Sequence, residues 1–274
     1  MLNNIHCNRL LLFGALLPIV PTVILLWPQL FSVLLFEPSP RTYSIRIISY
    51  DPLMIYIVGF ISWAERRYLL RLGQVQPTAS SFVVTLTFST GSLGLDLNEP
   101  HFQRSAVRED GKDIIHSDRT SSTAFLPHDD IVVQRIIKRA SEIQGYTPVG
   151  MHEFLQLTRY REGQEFRAHL DPLEDLNMTM KHRLTTIYAI LEATCENCGT
   201  QFPGMKVNWT AEDQSWCKYV DCDDHDALTV KAVPGNALFW KSYDSSGKLD
   251  SRTMHGGLPP ETGIKTGVNI WTNG

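Results

Sequence analysis

The most constraining feature of the chain is the stretch Tyr160-Arg-Glu-Gly163-Gln164-Glu-Phe166-Arg-Ala-His169-Leu170-Asp171, and above all its last three residues. In an extended strand, residues i and i+2 point to the same face. His169 and Asp171 therefore present an imidazole and a carboxylate side by side. One more histidine on a neighbouring strand completes a 2-His-1-carboxylate face, the ligand set that suits non-haem Fe(II) with positions left open. A lone His-x-Asp is weak, because such pairs arise by chance on surface strands, so the weight falls on the rest of the chain.

The third ligand is expected in Thr253-Met-His255-Gly-Gly. His101, His116, His128, His152, His182 and His225 are read as ordinary surface residues. His255 is preferred because a dense turn cluster follows it: Gly256, Gly257, Pro259, Pro260 and Gly263. A strand is then predicted from Ile264 to Trp271, with Lys265, Gly267, Asn269 and Trp271 on one face and Ile264, Val268 and Ile270 on the other. The turn brings Lys265 back beside the metal, inside a barrel whose inner face is polar. A buried cation without a protein partner is very costly, so Lys265 is expected to pair with an anionic ligand.

Several spaced pieces then carry a resemblance. They are Tyr160-x-x-Gly163-Gln164-x-Phe166-x-x-His169-x-Asp171, Arg183-x-x-Thr186 and Gly199-Thr200-x-Phe202-Pro203, then Pro234-Gly235-x-Ala237-Leu238-Phe239-Trp240, His255, Gly263-x-Lys265 and Asn269-x-Trp271. Together they resemble the catalytic core of the prolyl 4-hydroxylase family of Fe(II)/2-oxoglutarate dioxygenases. The resemblance implies an α+β fold, with a double-stranded β-helix (jelly-roll) core and supporting helices. It implies Fe(II) held by His169, Asp171 and His255, and 2-oxoglutarate held at its distal carboxylate by Lys265, Tyr160 and Thr186. O₂ is the co-substrate, and L-ascorbate keeps the iron reduced. The implied reaction hydroxylates an unactivated C–H while 2-oxoglutarate becomes succinate and CO₂. Asp171 is intact, which favours hydroxylation (or desaturation) over halogenation, because related halogenating enzymes lack that carboxylate.

The N-terminus reads differently. Residues 10–36 are almost unbroken hydrocarbon, with Gln29 the one strongly polar member, and exceed the roughly 20 apolar residues that cross a bilayer. The run is too long for a signal-peptide apolar region and is closed by no small-residue cleavage site, so a cytosolic N-terminus and an uncleaved transmembrane anchor are expected over 1–36. A short linker over 37–42 and a catalytic domain over 43–274 follow. Charge flanking the run does not orient it; the resemblance implies an endoplasmic reticulum membrane protein with a lumenal catalytic domain. The sequons at Asn177 and Asn208 fit that placement as glycosylation sites.

Cys195, Cys198, Cys217 and Cys222 bracket an insertion from Gly204 to Asp226. Two disulfides are preferred to a structural zinc site in an oxidising lumen, with the pairing left open. Elsewhere, strands are expected over Tyr43–Ser49 and Ser81–Ser89. A capping box at Ser62-Trp-Ala-Glu65 opens a helix ending at Gly73, with Ala64, Tyr68 and Leu72 on one face. Asp129 or Asp130 caps a second helix whose buried stripe is Val133, Ile136, Ile137 and Ala140. A formal net charge of −4 gives no footprint for nucleic acid.

The substrate pocket is expected to include Phe166, where peptidyl-proline hydroxylases commonly carry tyrosine, and the aromatic wall of Trp271. Peptidyl proline or a proline-like residue is the substrate the resemblance favours. A tailoring hydroxylase acting on a small molecule or peptide-derived secondary metabolite is the alternative. A non-catalytic jelly-roll binding module and a zinc hydrolase are weaker readings, because neither explains Lys265 beside the three ligands.

Overall fold

A computed structural model describes residues 43–74, 102–109, 112–115, 117–172 and 182–274; they fall in one compact unit, Thr42–Gly274. The apolar run over 10–36, the linker over 37–42, the strand expected at Ser81–Ser89 and the sequon at Asn177 lie outside the described residues. Among the described residues no helix is long and apolar enough to cross a membrane.

The chain begins with an antiparallel pair, β1 (Ser44–Tyr50) and β2 (Leu53–Val58). Helix α1 (Trp63–Leu72) follows, opened by the predicted capping box: the Glu65 amide donates to Ser62 Oγ at 3.1 Å, and the Ser62 amide to Glu65 Oε2 at 3.0 Å. Such a cap contributes about 1 kcal/mol. The buried face is not Ala64, Tyr68 and Leu72 but Glu65 and Leu69. Glu65 is inside because Arg139 reaches it from the second helix, with Nη2 to Oε1 at 2.9 Å. The buried line is thus shifted by one residue, about 100° around the helix, from the expected one, whose residues stay half-buried.

Four short strands follow: β3 (Gln103–Arg104), β4 (Val107–Glu109), β5 (Lys112–Ile114) and β6 (Ser122–Phe125). Helix α2 (Ile131–Ile143) is capped by Asp130, whose Oδ1 accepts from the Val132 and Val133 amides. Its stripe of Val132, Val133, Ile136, Ile137 and Ala140 is buried, close to the expected one.

The remaining strands are β7 (Gln156–Arg161), β8 (Phe166–His169), β9 (Thr185–Ala193), β10 (Thr200–Phe202), β11 (Leu228–Val230), β12 (Ala237–Lys241), β13 (His255–Gly257) and β14 (Ile264–Thr272). A large sheet has the order β1-β2-β12-β9-β14-β7-β6-β3, and a small one β11-β10-β13-β8. Every neighbouring pair in them is antiparallel. These two sheets build the jelly-roll. Gly163, at φ +68°, makes the turn between β7 and β8, a conformation glycine adopts without steric cost.

Two local disulfides form in place of a four-cysteine metal site: Cys195–Cys198 ahead of the insertion and Cys217–Cys222 within its span from Gly204 to Asp226. Trp209 and Trp216 are buried and pack with Tyr56 and Met54 of β2, and the Arg46 guanidinium of β1 lies 4.9 Å from the Trp216 ring. The insertion is thus anchored to the edge of the large sheet by aromatic burial, at roughly 25 cal/mol per Å² of apolar area.

Candidate metal and co-substrate site

His169 ends β8, His255 begins β13, and the two residues are register partners. Asp171 lies just beyond β8, and the ligand atoms of all three fall within 4.8 Å of one another. His169 Nε2 is 4.0 Å from Asp171 Oδ1, and His255 Nε2 is 3.8 Å from Asp171 Oδ2. Each histidine uses Nδ1 to meet a backbone carbonyl, Arg167 O at 2.9 Å and Thr253 O at 3.0 Å. That contact fixes a proton on Nδ1 and leaves Nε2 with its lone pair toward the carboxylate. Burial and the neighbouring His255 push the His169 imidazole down to about 3, so it is neutral at physiological pH, as a metal ligand must be.

The Asp171 carboxylate is held from behind. Thr186 Oγ1 donates to Oδ2 at 2.6 Å and Trp271 Nε1 to Oδ1 at 3.1 Å. Burial raises the Asp171 pKa, but His255, His169, the Arg183 guanidinium and the Thr186 hydroxyl outweigh it and hold the group below the usual carboxylate range. Arg183 spans the support: it stacks 3.7 Å from the Trp271 ring, donates to the Asp171 carbonyl at 3.2 Å and forms a two-point pair with Glu153 at 3.0 and 3.1 Å. Two imidazoles whose Nε2 atoms face one oriented carboxylate fit a divalent first-row metal with positions to spare.

Lys265 stands on β14 of the large sheet, whereas the two histidines stand on the small one. It is fully buried, its ammonium 4.6 Å from the Tyr160 ring and donating to the Gly199 carbonyl at 2.9 Å. Among the described residues it has no acidic partner, and desolvation pulls it down to about 7. Tyr160 is its register partner on β7. A Cβ added at Gly257 would touch the Tyr160 phenol, so this glycine leaves room for the ring. The geometry fits an anion: one cation, one phenol and a neighbouring threonine, with no negative charge among them.

That threonine is Thr200, not Thr186. Thr186 faces Trp271 across β9 and β14, six positions along β14 from Lys265, or about 20 Å at strand rise. It is committed to Asp171. Thr200 instead follows the carbonyl that Lys265 contacts, pairs with Gly257 and lines the cavity shared by Tyr160 and the three ligands. It stands in Gly199-Thr200-x-Phe202-Pro203, so the signal was present in the sequence.

Phe166 and Trp271 both line this cavity, and Phe166 stacks on His169 with centroids 3.6 Å apart. Arg119 was missed. It is buried, lies 4.6 Å over the Phe166 ring and donates to Gln156 Oε1 at 2.9 Å and the Ala106 carbonyl at 3.0 Å. Burial lowers its pKa. A polar residue on an interior strand face looks solvent-facing when strand alternation alone is read. Asn208 is exposed, its Oδ1 accepting from Thr210 Oγ1 at 2.7 Å.

The chain is 31% identical over 201 residues to probable prolyl 4-hydroxylase 10 of Arabidopsis thaliana, covering 72% of this chain and 68% of that one. Probable prolyl 4-hydroxylase 3 of the same plant is 30% identical over 231 residues (82% and 71%), and prolyl 4-hydroxylase 5 is 31% identical over 231 (83% and 70%). No family model matches the chain. Among solved structures, the 2OG complex of the viral collagen prolyl hydroxylase of Paramecium bursaria chlorella virus 1 superposes with a TM-score of 0.51 at 20% identity, covering 80% of this chain and 95% of that one. At that identity it supports the jelly-roll fold.

Proposed function

The chain belongs to the prolyl 4-hydroxylase family of Fe(II)- and 2-oxoglutarate-dependent dioxygenases, and from that premise we propose that it hydroxylates proline, or a proline-like residue, carried in a peptide. The observation that carries the reading is the pairing, inside one barrel, of the His169–Asp171–His255 cluster with a fully buried Lys265 that has no acidic partner among the described residues. A metal site alone would suit many reactions. A buried lone ammonium beside it calls for an anionic co-substrate.

In this reading His169, Asp171 and His255 hold Fe(II), while Lys265, Tyr160 and Thr200 receive the distal carboxylate of 2-oxoglutarate. Held there, Fe(II) would supply the activation of O₂ that lets one oxygen atom end in succinate, with loss of CO₂, and the other on the substrate carbon. The protein's part is positional. Thr186 and Trp271 fix the carboxylate plane of Asp171, and the backbone carbonyls of Arg167 and Thr253 fix the two imidazoles. Phe166 packs on His169 and excludes water from one side of the site, and Trp271 walls the pocket. L-ascorbate serves as the external reductant that returns the iron to Fe(II).

The same proposal extends to setting: a single-pass endoplasmic reticulum membrane protein, anchored through residues 10–36, with its catalytic unit in the lumen. Two disulfides suit an oxidising compartment, and an exposed Asn208 in an acceptor sequon suits glycosylation.

The test is succinate formation by the unit from Arg41 onward, with Fe(II), 2-oxoglutarate and ascorbate, in the presence and absence of proline-rich peptides. Turnover should require iron and the peptide and vanish in His169→Ala. Iron-dependent succinate that ignores every proline peptide but rises with a small-molecule extract would overturn the peptide substrate while leaving the reaction class standing.

A further inference from the structure

Between the metal ligands and Lys265 the interior floor of the pocket is formed in an unusual way. On β14 the inward positions run Lys265, Gly267, Asn269, Trp271, so Gly267 lies between the lysine and the tryptophan that supports Asp171. A glycine there leaves a trough. Tyr188 fills it from the neighbouring strand: it starts opposite Asn269 on β9, and its ring crosses β14 above Gly267. Its hydroxyl then lies 3.3 Å from Thr158 Oγ1 on β7, the register partner of Gly267. A Cβ at Gly267 would collide with Cζ and the phenolic oxygen of Tyr188. The two residues are a matched pair, one supplying the ring and the other the space.

Tyr188 is also a partition. It lines the cavity that contains the three ligands and Tyr160, and it lines a second cavity whose walls include Tyr56, Ile190, Val230 and Leu238. Those four residues belong to the same buried cluster as Trp209 and Trp216 of the insertion. Among the described residues, Tyr188 and Thr200 alone line both.

We propose that Tyr188, seated over Gly267, determines which length of 2-oxo diacid the pocket accepts, by filling the floor midway between the metal ligands and Lys265 and closing off the cavity behind it. The inference rests on the reading of Lys265 as the carboxylate anchor. A five-carbon 2-oxo diacid spans two fixed ends. A six-carbon one held at the same ends must bow in the middle, and the Tyr188 ring occupies the space into which it would bow. One methylene in a closed pocket is worth roughly 10–200-fold in discrimination.

The experiment measures binding to Mn(II)-loaded protein without O₂, by calorimetric titration and thermal shift, using 2-oxoglutarate and 2-oxoadipate. Wild type should favour 2-oxoglutarate by about 100-fold. Tyr188→Ala, or Tyr188→Leu if the alanine variant folds poorly, should bring the two within about 10-fold, through tighter binding of 2-oxoadipate. Gly267→Ala should weaken 2-oxoglutarate by at least about 10-fold, because overpacking drives the ring into the pocket. Adding Tyr188→Leu to it should restore binding. Wild-type discrimination preserved in Tyr188→Ala or Tyr188→Leu, or unchanged affinity in Gly267→Ala, overturns the role of Tyr188 while the co-substrate reading survives. Failure of wild type to bind 2-oxoglutarate brings down that reading and this inference together.

Discussion

Replacing Lys265 by methionine should stabilise the ligand-free protein and abolish co-substrate binding, two effects that ordinary structural lysines do not combine. The ammonium is fully buried, and desolvation alone lowers it from 10.5 to about 7. At roughly 1.4 kcal/mol per pH unit, that fall corresponds to on the order of 5 kcal/mol against folding with the group charged. Methionine removes this penalty but leaves the Gly199 carbonyl without its donor, at a cost of about 1–3 kcal/mol. The net gain is about 2–4 kcal/mol, or roughly 5–10 °C in Tm for a domain of this size. The sign of the pH dependence follows from the depressed folded pKa: the unfolded chain holds the proton more tightly. The wild-type penalty is therefore full below pH 7 and disappears as pH rises from 7 toward 10.5. The advantage of Lys265→Met should be largest at pH 6 and shrink by pH 9. For the same reason, 2-oxoglutarate binding above pH 7 should take up a proton, visible as a calorimetric heat that varies with buffer ionisation enthalpy. Thermal melts at pH 6, 7.5 and 9 in chelator, then with Mn(II) and 2-oxoglutarate, decide the matter. A variant less stable than wild type at pH 6, or one still stabilised by 2-oxoglutarate, would refute the argument that Lys265 awaits an anion.

Two further outcomes follow from the placement of the threonines and from the insertion. Thr186→Val should weaken metal affinity by about 10–100-fold, because the Asp171 carboxylate loses an orienting donor, with little change in 2-oxoglutarate affinity once metal is saturating. Thr200→Val should do the reverse, and chelator competition beside co-substrate titration separates the two. Replacing Cys217 and Cys222 by serine should cost about 2 kcal/mol through the short loop they close. A reducing agent should lower the Tm of wild type toward that of the serine variant and leave the variant itself much less affected.

The parts of the site that the sequence disclosed are those governed by spacing along one strand. His169 and Asp171 were legible because a two-residue spacing keeps them close even though β8 ends at His169, and Lys265 because it shares a face with Gly267, Asn269 and Trp271 on a strand that follows His255. The parts that stayed hidden depend on register between strands. A threonine occurs in both Arg183-x-x-Thr186 and Gly199-Thr200-x-Phe202-Pro203, and only the pairing of Thr186 with Trp271 shows that the first belongs to the metal end. Polar residues turned inward mislead in the same way. Glu65 is buried because Arg139 meets it, and Arg119 because Phe166 and Gln156 receive it; none of the three partners is near in sequence.

The Tyr188–Gly267 pair is the extreme case. A tyrosine on β9 reads as strand packing and a glycine on β14 as a weak point in a strand. Each loses its oddity once β9, β14 and β7 are laid side by side, because the missing side chain at 267 is the volume that the ring occupies. The two should therefore vary together. Enlarging 267 without reducing 188 puts extra volume where the co-substrate chain must lie, whereas reducing 188 alone joins two cavities. The first change acts on affinity for every diacid and the second on the choice between them, so opposite defects from two touching residues identify the floor as the element that measures chain length.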